Sequence, residues 1–310
     1  MAAPNRPGVC PDTTDEAGRQ PPSEAARTGP DGHVASTVRS MSATASFDPE
    51  ALTTVTYELD HGVATVTLNR PESLNSFTET MCDEIASVWQ HVRFCADVRC
   101  VILTGAGSKA FCTGIDRGEI PLDAEYDGLV YDDPGRRLGA RAQECWKPII
   151  GAVNGMACGG AFYLLGDVDF IIAAEHATFF DPHVTYGMAA VFEPSVLLHR
   201  MHVGELSRLM LLGAHERLSA ATACEVGLVS EVVPADELMP AARRLAATIA
   251  SQPAYAVQAT VRALWAARNL ARGQMLQAGN AFLAMGTRSS QLEAGQATFS
   301  SGTRITPRIR

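Results

Sequence analysis

The sequence predicts an α/β fold of repeated β-β-α units followed by a helical C-terminal region, and three observations carry that expectation. Short continuous apolar runs at residues 100–104, 149–153 and 170–174 have the length and composition of buried strands. Glycine-rich turns follow the first two, and the pair Gly159-Gly160 leads into a short apolar helix at residues 161–165. From Gly204 onward the chain is mostly helical in pattern.

Taken in order, residues 55–68 alternate apolar and polar side chains around Asp60-His61-Gly62, the pattern of a β-hairpin, which Arg70-Pro71 ends. Thr78 is placed to cap a helix whose apolar positions Met81, Ile85, Val88, Trp89 and Val92 share one face. A long loop runs from Asp116 to Arg137, and loops of that length are usually functional. Helices are expected at 205–212 and at 219–226, the second stopped by Gly227, with a final strand at 229–233. Pro234 opens the next helix, and residues 254–270 and 274–288 continue the pattern. The last twenty residues read as an acidic-glycine turn and a basic, disordered end.

Composition narrows the classes of function. With 310 residues, 46% of them hydrophobic, the chain can bury a substantial core. A net charge of -9 without a clustered basic stripe argues against nucleic acid as a partner. The eight cysteines form no C-x-x-C pair, so reduced thiols in the cytoplasm are expected. No apolar run approaches the ~18 residues of a membrane helix, so no membrane partner is expected. His199 and His202 stand three apart without acidic or cysteine ligands nearby, and no metal is expected. Residues 1–46 are rich in Pro, Gly, Ser, Thr and Ala and read as a disordered extension, with Met41 an alternative start. The expected organisation is thus 1–46 extension, 47–234 core and 235–310 helical region.

Two glycine turns suggest the chemistry. A strand that delivers Gly159-Gly160 to the first turn of a helix leaves backbone N–H groups unpaired, and glycine lets a substrate approach them. The stretch KAFCTGID at residues 109–116 repeats the arrangement after the strand at 100–104. Two N–H groups aimed at one point form an oxyanion hole.

Four stretches in this order, LNRPESLNS at 68–76, VILTGAGSKAFCTGID at 101–116, KPIIGAVNGMACGGA at 147–161 and DVDFIIAAEHATFFDP at 167–182, resemble the crotonase superfamily, which includes the enoyl-CoA hydratases and isomerases. The resemblance is close over residues 57–234 and looser beyond. It implies a crotonase-like spiral, an acyl-CoA thioester substrate, no cofactor beyond the coenzyme A of that substrate, and a homotrimer or homohexamer built through the C-terminal helices. It also implies that the N–H groups of Thr113 and Gly160 form the oxyanion hole, and that Arg70, Ser73, Leu74, Phe111 and Gly159 contact the substrate. Asp116 falls among these and reads more readily as a partner for backbone N–H groups than as a catalyst. Phe299 and Arg304 are candidates for touching the coenzyme A of a neighbour.

One departure from the family pattern matters most. Hydratases of the superfamily hold a water between two glutamates, and those positions fall here on Tyr163 and His183. A phenol with a pKa near ~10 is a poor base at neutral pH, whereas an imidazole near ~6.5 is a good one. His183 is therefore the expected base and Tyr163 the expected hydrogen-bond donor or acid, with Glu193 placed to orient His183 or act with it. The resemblance implies an acyl-CoA enzyme that stabilises a thioester enolate. Two alternatives are a carbon–carbon bond hydrolase of β-diketone or ring-opened CoA substrates and a non-catalytic acyl-CoA binding protein.

Overall fold

Side-chain alternation along parallel strands decides the layers. In the computed structural model, residues 47–119, 133–302 and 305–309 are described. The expected N-terminal extension, most of the loop after Asp116, the Phe299 side chain and Arg304 lie outside them. The described residues all belong to the unit spanning Ala45–Arg310.

The chain enters through the expected hairpin, β1 (Val55–Asp60) and β2 (Val63–Leu68). Its two-residue turn pairs Asp60 with Val63 and holds His61 at φ 46 and Gly62 at φ 83. Positive φ at both turn positions matches the right-handed twist of the flanking strands. Next come α1 (Glu79–Phe94), capped by the Thr78 hydroxyl as expected, and then β3 (Cys100–Gly105) and β4 (Ala110–Cys112). After the described chain resumes, β5 (Ile149–Val153), β6 (Met156–Cys158) and α2 (Ala161–Asp167) form one unit, and β7 (Phe170–Ala174) and β8 (Thr178–Phe180) begin the next. Helices α3 (Phe192–Leu197) and α4 (Val203–Leu212), strand β9 (Leu218–Ser219), helix α5 (Ala220–Glu225) and strand β10 (Glu231–Val233) follow. Four helices end the chain: α6 (Leu238–Ser251), α7 (Ala254–Asn269), α8 (Arg272–Gly286) and α9 (Ser289–Ser300).

Each repeat contributes one strand to each of two sheets. The larger has the order β1-β2-β3-β5-β7-β10 and the smaller β4-β6-β8-β9. From β2 onward the larger sheet is parallel, with Val101 opposite Ile149 and Ile150 opposite Phe170. A parallel sheet is covered on both faces, which is why its strands read as unbroken apolar runs. Val101, Leu103, Ile149 and Ile171 face the main core with Trp89 and Phe162. Cys100, Ile102, Ile150 and Ile172 face the other way, onto Leu238, Ala241, Ala242 and Ala246 of α6. The helix just past the expected boundary at residue 234 thus covers the sheet itself. Further on, Trp265 of α7 donates its indole N–H to Asp169 at 2.8 Å, and Arg141 donates to the same carboxylate at 2.8 Å.

Three details depart from the sequence reading. The final strand is shorter than 229–233, because the Val229 N–H turns back to the Ala223 carbonyl. The segment around Glu193, read as loop, forms the helix α3 with Pro194 in its first turn, a position where a missing N–H costs nothing. The expected acidic-glycine turn at Glu293 to Gly295 lies inside α9, where Gln, Leu, Glu and Ala outweigh a single glycine costing about 1 kcal/mol. Seven cysteines among the described residues are free, and burial pushes the thiols of Cys82, Cys100, Cys112 and Cys158 up to about 12. No helix among the described residues is long and apolar enough to cross a membrane.

Asn75 ties the segment after β2 to the site-bearing strands. It is fully buried at φ 56, accepts the Arg70 N–H at 2.9 Å, and donates to the carbonyls of Ala106 and Ala110 at 3.0 Å each. The Ala110 carbonyl also accepts from Asn154 at 3.2 Å, so removing the Asn75 amide strips this partner from the Arg70 N–H and the Ala106 carbonyl and leaves a void in the core. Asn75→Ala is expected to lose about 2–4 kcal/mol of stability in urea unfolding. A loss under about 0.5 kcal/mol, the range of ordinary surface changes, contradicts this assignment.

Candidate active site

The ends of β4 and β6 bring the two glycine turns into contact. Gly114 has φ 84 and Gly159 has φ 54, and the second feeds Gly160 into the N-cap of α2. A Cβ on Gly114 would stand 3.0 Å from the Gly160 nitrogen, and one on Gly160 would stand 2.5 Å from the Phe77 ring. Gly160 itself has φ -58, so close approach, not backbone freedom, demands glycine there. Phe77 is bridged to Ile115: its N–H donates to the Gly114 carbonyl at 2.8 Å and its carbonyl accepts the Asp116 N–H at 2.9 Å. With those two groups turned toward Phe77, extended backbone turns the Ile115 N–H the opposite way.

Beside this junction lies a cavity of about 390 Å³ whose wall includes Ile115, Gly160, Tyr163, His183 and Glu193. Four of the five residues expected to carry chemistry are thereby brought together. Thr113 is not on this wall; its hydroxyl donates to the Leu74 carbonyl at 3.4 Å, and Ile115, two residues on, takes its place beside Gly160. Neither the Ile115 nor the Gly160 N–H has a backbone acceptor among the described residues.

His183 is held by a residue the sequence reading missed. One oxygen of the fully buried Asp181 accepts both the His183 backbone N–H at 3.0 Å and the ring Nδ1–H at 2.8 Å. The carboxylate is only an acceptor, so it assigns the proton to Nδ1 and leaves Nε2 to face the cavity. Nε2 stands 3.7 Å from the Glu193 carboxylate, whose side chain is 5% exposed. The hydrogen bond donated to Asp181 holds the imidazole above its ordinary pKa against its own burial, and the charge of Glu193 adds to the effect. Burial pushes the Glu193 carboxyl above the usual range, with His183 partly opposing. Both groups are thus shifted upward, the imidazole by its carboxylate neighbours and the Glu193 carboxyl by burial.

Tyr163 is engaged from the other side. Its hydroxyl donates to Asp133, whose other oxygen accepts the Gly135 N–H at 2.9 Å. Asp133 is buried at the start of the short turn Pro134–Leu138, and Trp89 pins that turn to α1 by donating to the Leu138 carbonyl at 2.8 Å. The phenolic hydroxyl therefore directs its proton into a hydrogen bond to Asp133.

The expected substrate contacts separate. Phe111, in β4 of the smaller sheet, is wholly buried in the core and does not line the cavity. The Arg70 guanidinium is taken up by Asp116 at 2.9 Å, the Ser76 carbonyl at 2.7 Å and Glu119 at 3.4 Å. Arg70, Ser73 and Leu74 are not on the cavity wall. Asp116 behaves as a structural partner, also accepting the Gly118 N–H at 3.0 Å, and the Arg70 hydrogen bond holds its carboxyl below the usual range. Gly159 lies against Pro182 and the His183 ring. Asp181 carries the one available sequence signal among the missed residues, an acid two positions before His183. Asp133 carries none, because the pairing with Tyr163 spans thirty residues. Asp181, His183 and Glu193 also each offer a ligand atom within 4.8 Å of the others, the spacing a metal ion would need.

The enoyl-CoA hydratase/isomerase family model matches residues 58–301. (E)-Benzylidenesuccinyl-CoA hydratase of Thauera aromatica is 38% identical over 209 residues, 67% of this chain and 81% of that protein. 1,2-Epoxyphenylacetyl-CoA isomerase of Escherichia coli is 32% identical over 246 residues, 78% of this chain and 93% of that one. Among solved structures, an enoyl-CoA hydratase/isomerase from Mycobacterium paratuberculosis superposes with a TM-score of 0.75 at 31% identity, covering 84% of this chain and 100% of that one.

The Asp181–His183 contact yields a direct test. In Asp181→Asn the hydrogen-bonded charge that favours imidazolium is gone, so the His183 pKa, followed by NMR of the ring protons, is expected to fall. An unchanged or raised value means that Asp181 does not govern this imidazole.

Proposed function

Because the chain belongs to the enoyl-CoA hydratase/isomerase family, we propose that it moves a proton at the carbon next to the carbonyl of an acyl-CoA thioester, with His183 as the base. The observation that carries this reading is the buried Asp181–His183–Glu193 series on the wall that also holds Gly160.

In this reading the thioester oxygen accepts from the N–H groups of Gly160 and Ile115. Ile115 replaces Thr113 in this role because of its place on the cavity wall. Such donors stabilise charge that develops as the α-proton leaves, and loss of one typically costs about 3 kcal/mol of barrier. The Nε2 lone pair takes the proton, and the buried Asp181 stabilises the imidazolium that forms. Return of a proton from His183 or Glu193 to a different carbon completes a double-bond shift. The Tyr163 hydroxyl, already committed to Asp133, shapes the wall and is not the acid. Holding a water between two carboxylates needs glutamates at the positions of Tyr163 and His183, so simple hydration of crotonyl-CoA is expected to be weak. The proposal includes assembly as a trimer or hexamer, supported by the exposed Leu264, Leu276, Leu283 and Leu292 of the C-terminal helices.

A panel of CoA thioesters in D₂O, read by mass spectrometry, tests the chemistry through deuterium entering the acyl group. His183→Ala is expected to reduce that exchange about 10²-fold or more, the usual contribution of a general base. The working form is the neutral imidazole and its folded pKa is raised, so the rate should climb with pH through an inflection above the ordinary histidine value. An active enzyme indifferent to His183→Ala, or one with full crotonyl-CoA hydratase activity, overturns the assignment.

A further inference from the structure

Arg117 is a cation on the wall of the same cavity, and it has no carboxylate partner among the described residues. The contrast with neighbouring arginines is sharp: Arg70 meets Asp116 and Glu119, Arg137 meets Glu79 and Asp83, and Arg141 meets Asp169. The contacts of Arg117 are instead the Met188 sulfur at 3.7 Å and the Tyr186 ring, whose centroid is 4.6 Å from the guanidinium carbon. A thioether is a weak acceptor and an aromatic face leaves the guanidinium edge open, so among the described residues no strong acceptor takes up the donors of Arg117 that a planar anion would use. Asp133, Asp181 and Glu193 also border or underlie this cavity, and their acidity disfavours any second anion there unless a cation offsets it. Arg117 acts within reach of the reacting group, since its charge opposes protonation of His183.

We propose that Arg117 binds an anionic group of the substrate, namely a free carboxylate on the acyl chain, so that the substrate class is the mono-CoA thioester of a dicarboxylic acid. This rests on the acyl-CoA reading above and adds the identity of the acyl group. The chemistry of recognition is that of a guanidinium with paired oxygens, which is charge-assisted and can be bidentate. The phosphates of coenzyme A offer the same chemistry, and the experiment has to separate the two sources.

Saturated thioesters allow this without turnover. Calorimetry would measure Kd for succinyl-, glutaryl- and adipyl-CoA against butyryl-, pentanoyl- and hexanoyl-CoA, on the full chain and on Arg117→Gln. Each pair differs by a carboxylate in place of a methyl group. The expected result is a preference of roughly tenfold or more for the carboxylated member at one or more chain lengths, the scale of a hydrogen bond to a charged group, and its collapse toward unity in Arg117→Gln. No preference at any length in the unaltered protein overturns the proposal while leaving the acyl-CoA reading intact. A loss shared equally by both members of each pair assigns Arg117 to the coenzyme A phosphates and also overturns it. Failure of all six thioesters to bind overturns the acyl-CoA reading and this proposal together.

Discussion

The close approach of two backbone turns is the constraint on which the site depends. Gly114 and Gly160 meet with no room for a side chain on either, and the Phe77 ring closes the junction from the third side. That contact requires β4 and β6 to lie side by side, which requires their parent strands β3 and β5 to be parallel neighbours in register. Gly155 serves the same end, since a Cβ there would stand 2.5 Å from the Lys109 carbonyl oxygen at the entry to β4. The repeat is thus a device for presenting successive strand ends at one place. A one-residue slip in β5 would invert its two faces and separate the turns.

Around that rigid junction the polar groups are arranged in pairs. Each of the two buried acids missed by the sequence reading holds one side chain of the cavity: Asp181 holds His183 and Asp133 holds Tyr163. Burying carboxylates is expensive unless hydrogen bonds satisfy them, and both are tied to backbone N–H groups as well. The second oxygen of Asp181 nevertheless has no partner among the described residues. Glu193, whose carboxyl burial pushes above the usual range, completes the series beside His183.

Much of this was legible before any coordinates. The hairpin, the helix capped by Thr78 and the buried strands at 149–153 and 170–174 fell where the pattern of side chains put them, because local turn chemistry and strand burial are written in adjacent residues. Gly160, Tyr163, His183 and Glu193, named from the sequence as candidates, all line one cavity. Thr113 was read as one oxyanion donor, whereas Ile115, two residues on, is the one that lines the cavity with Gly160. Both Thr113 and Ile115 flank the same glycine, and only the bridge to Phe77 distinguishes which one lines the cavity. Phe111 was read as a contact for a similar reason, since a motif does not tell which of its side chains point inward.

The sequence by itself determined the class of the fold and the family. Each of these rests on short stretches whose spacing along the chain carries the physics. Tertiary structure alone decided that Asp181 orients His183, that Asp133 accepts the Tyr163 hydrogen bond, that α6 covers the sheet and that Arg117 meets no carboxylate among the described residues. Those outcomes depend on which charges and faces meet across tens of residues. In a folded protein that is set by the packing of the whole, and no local pattern encodes it.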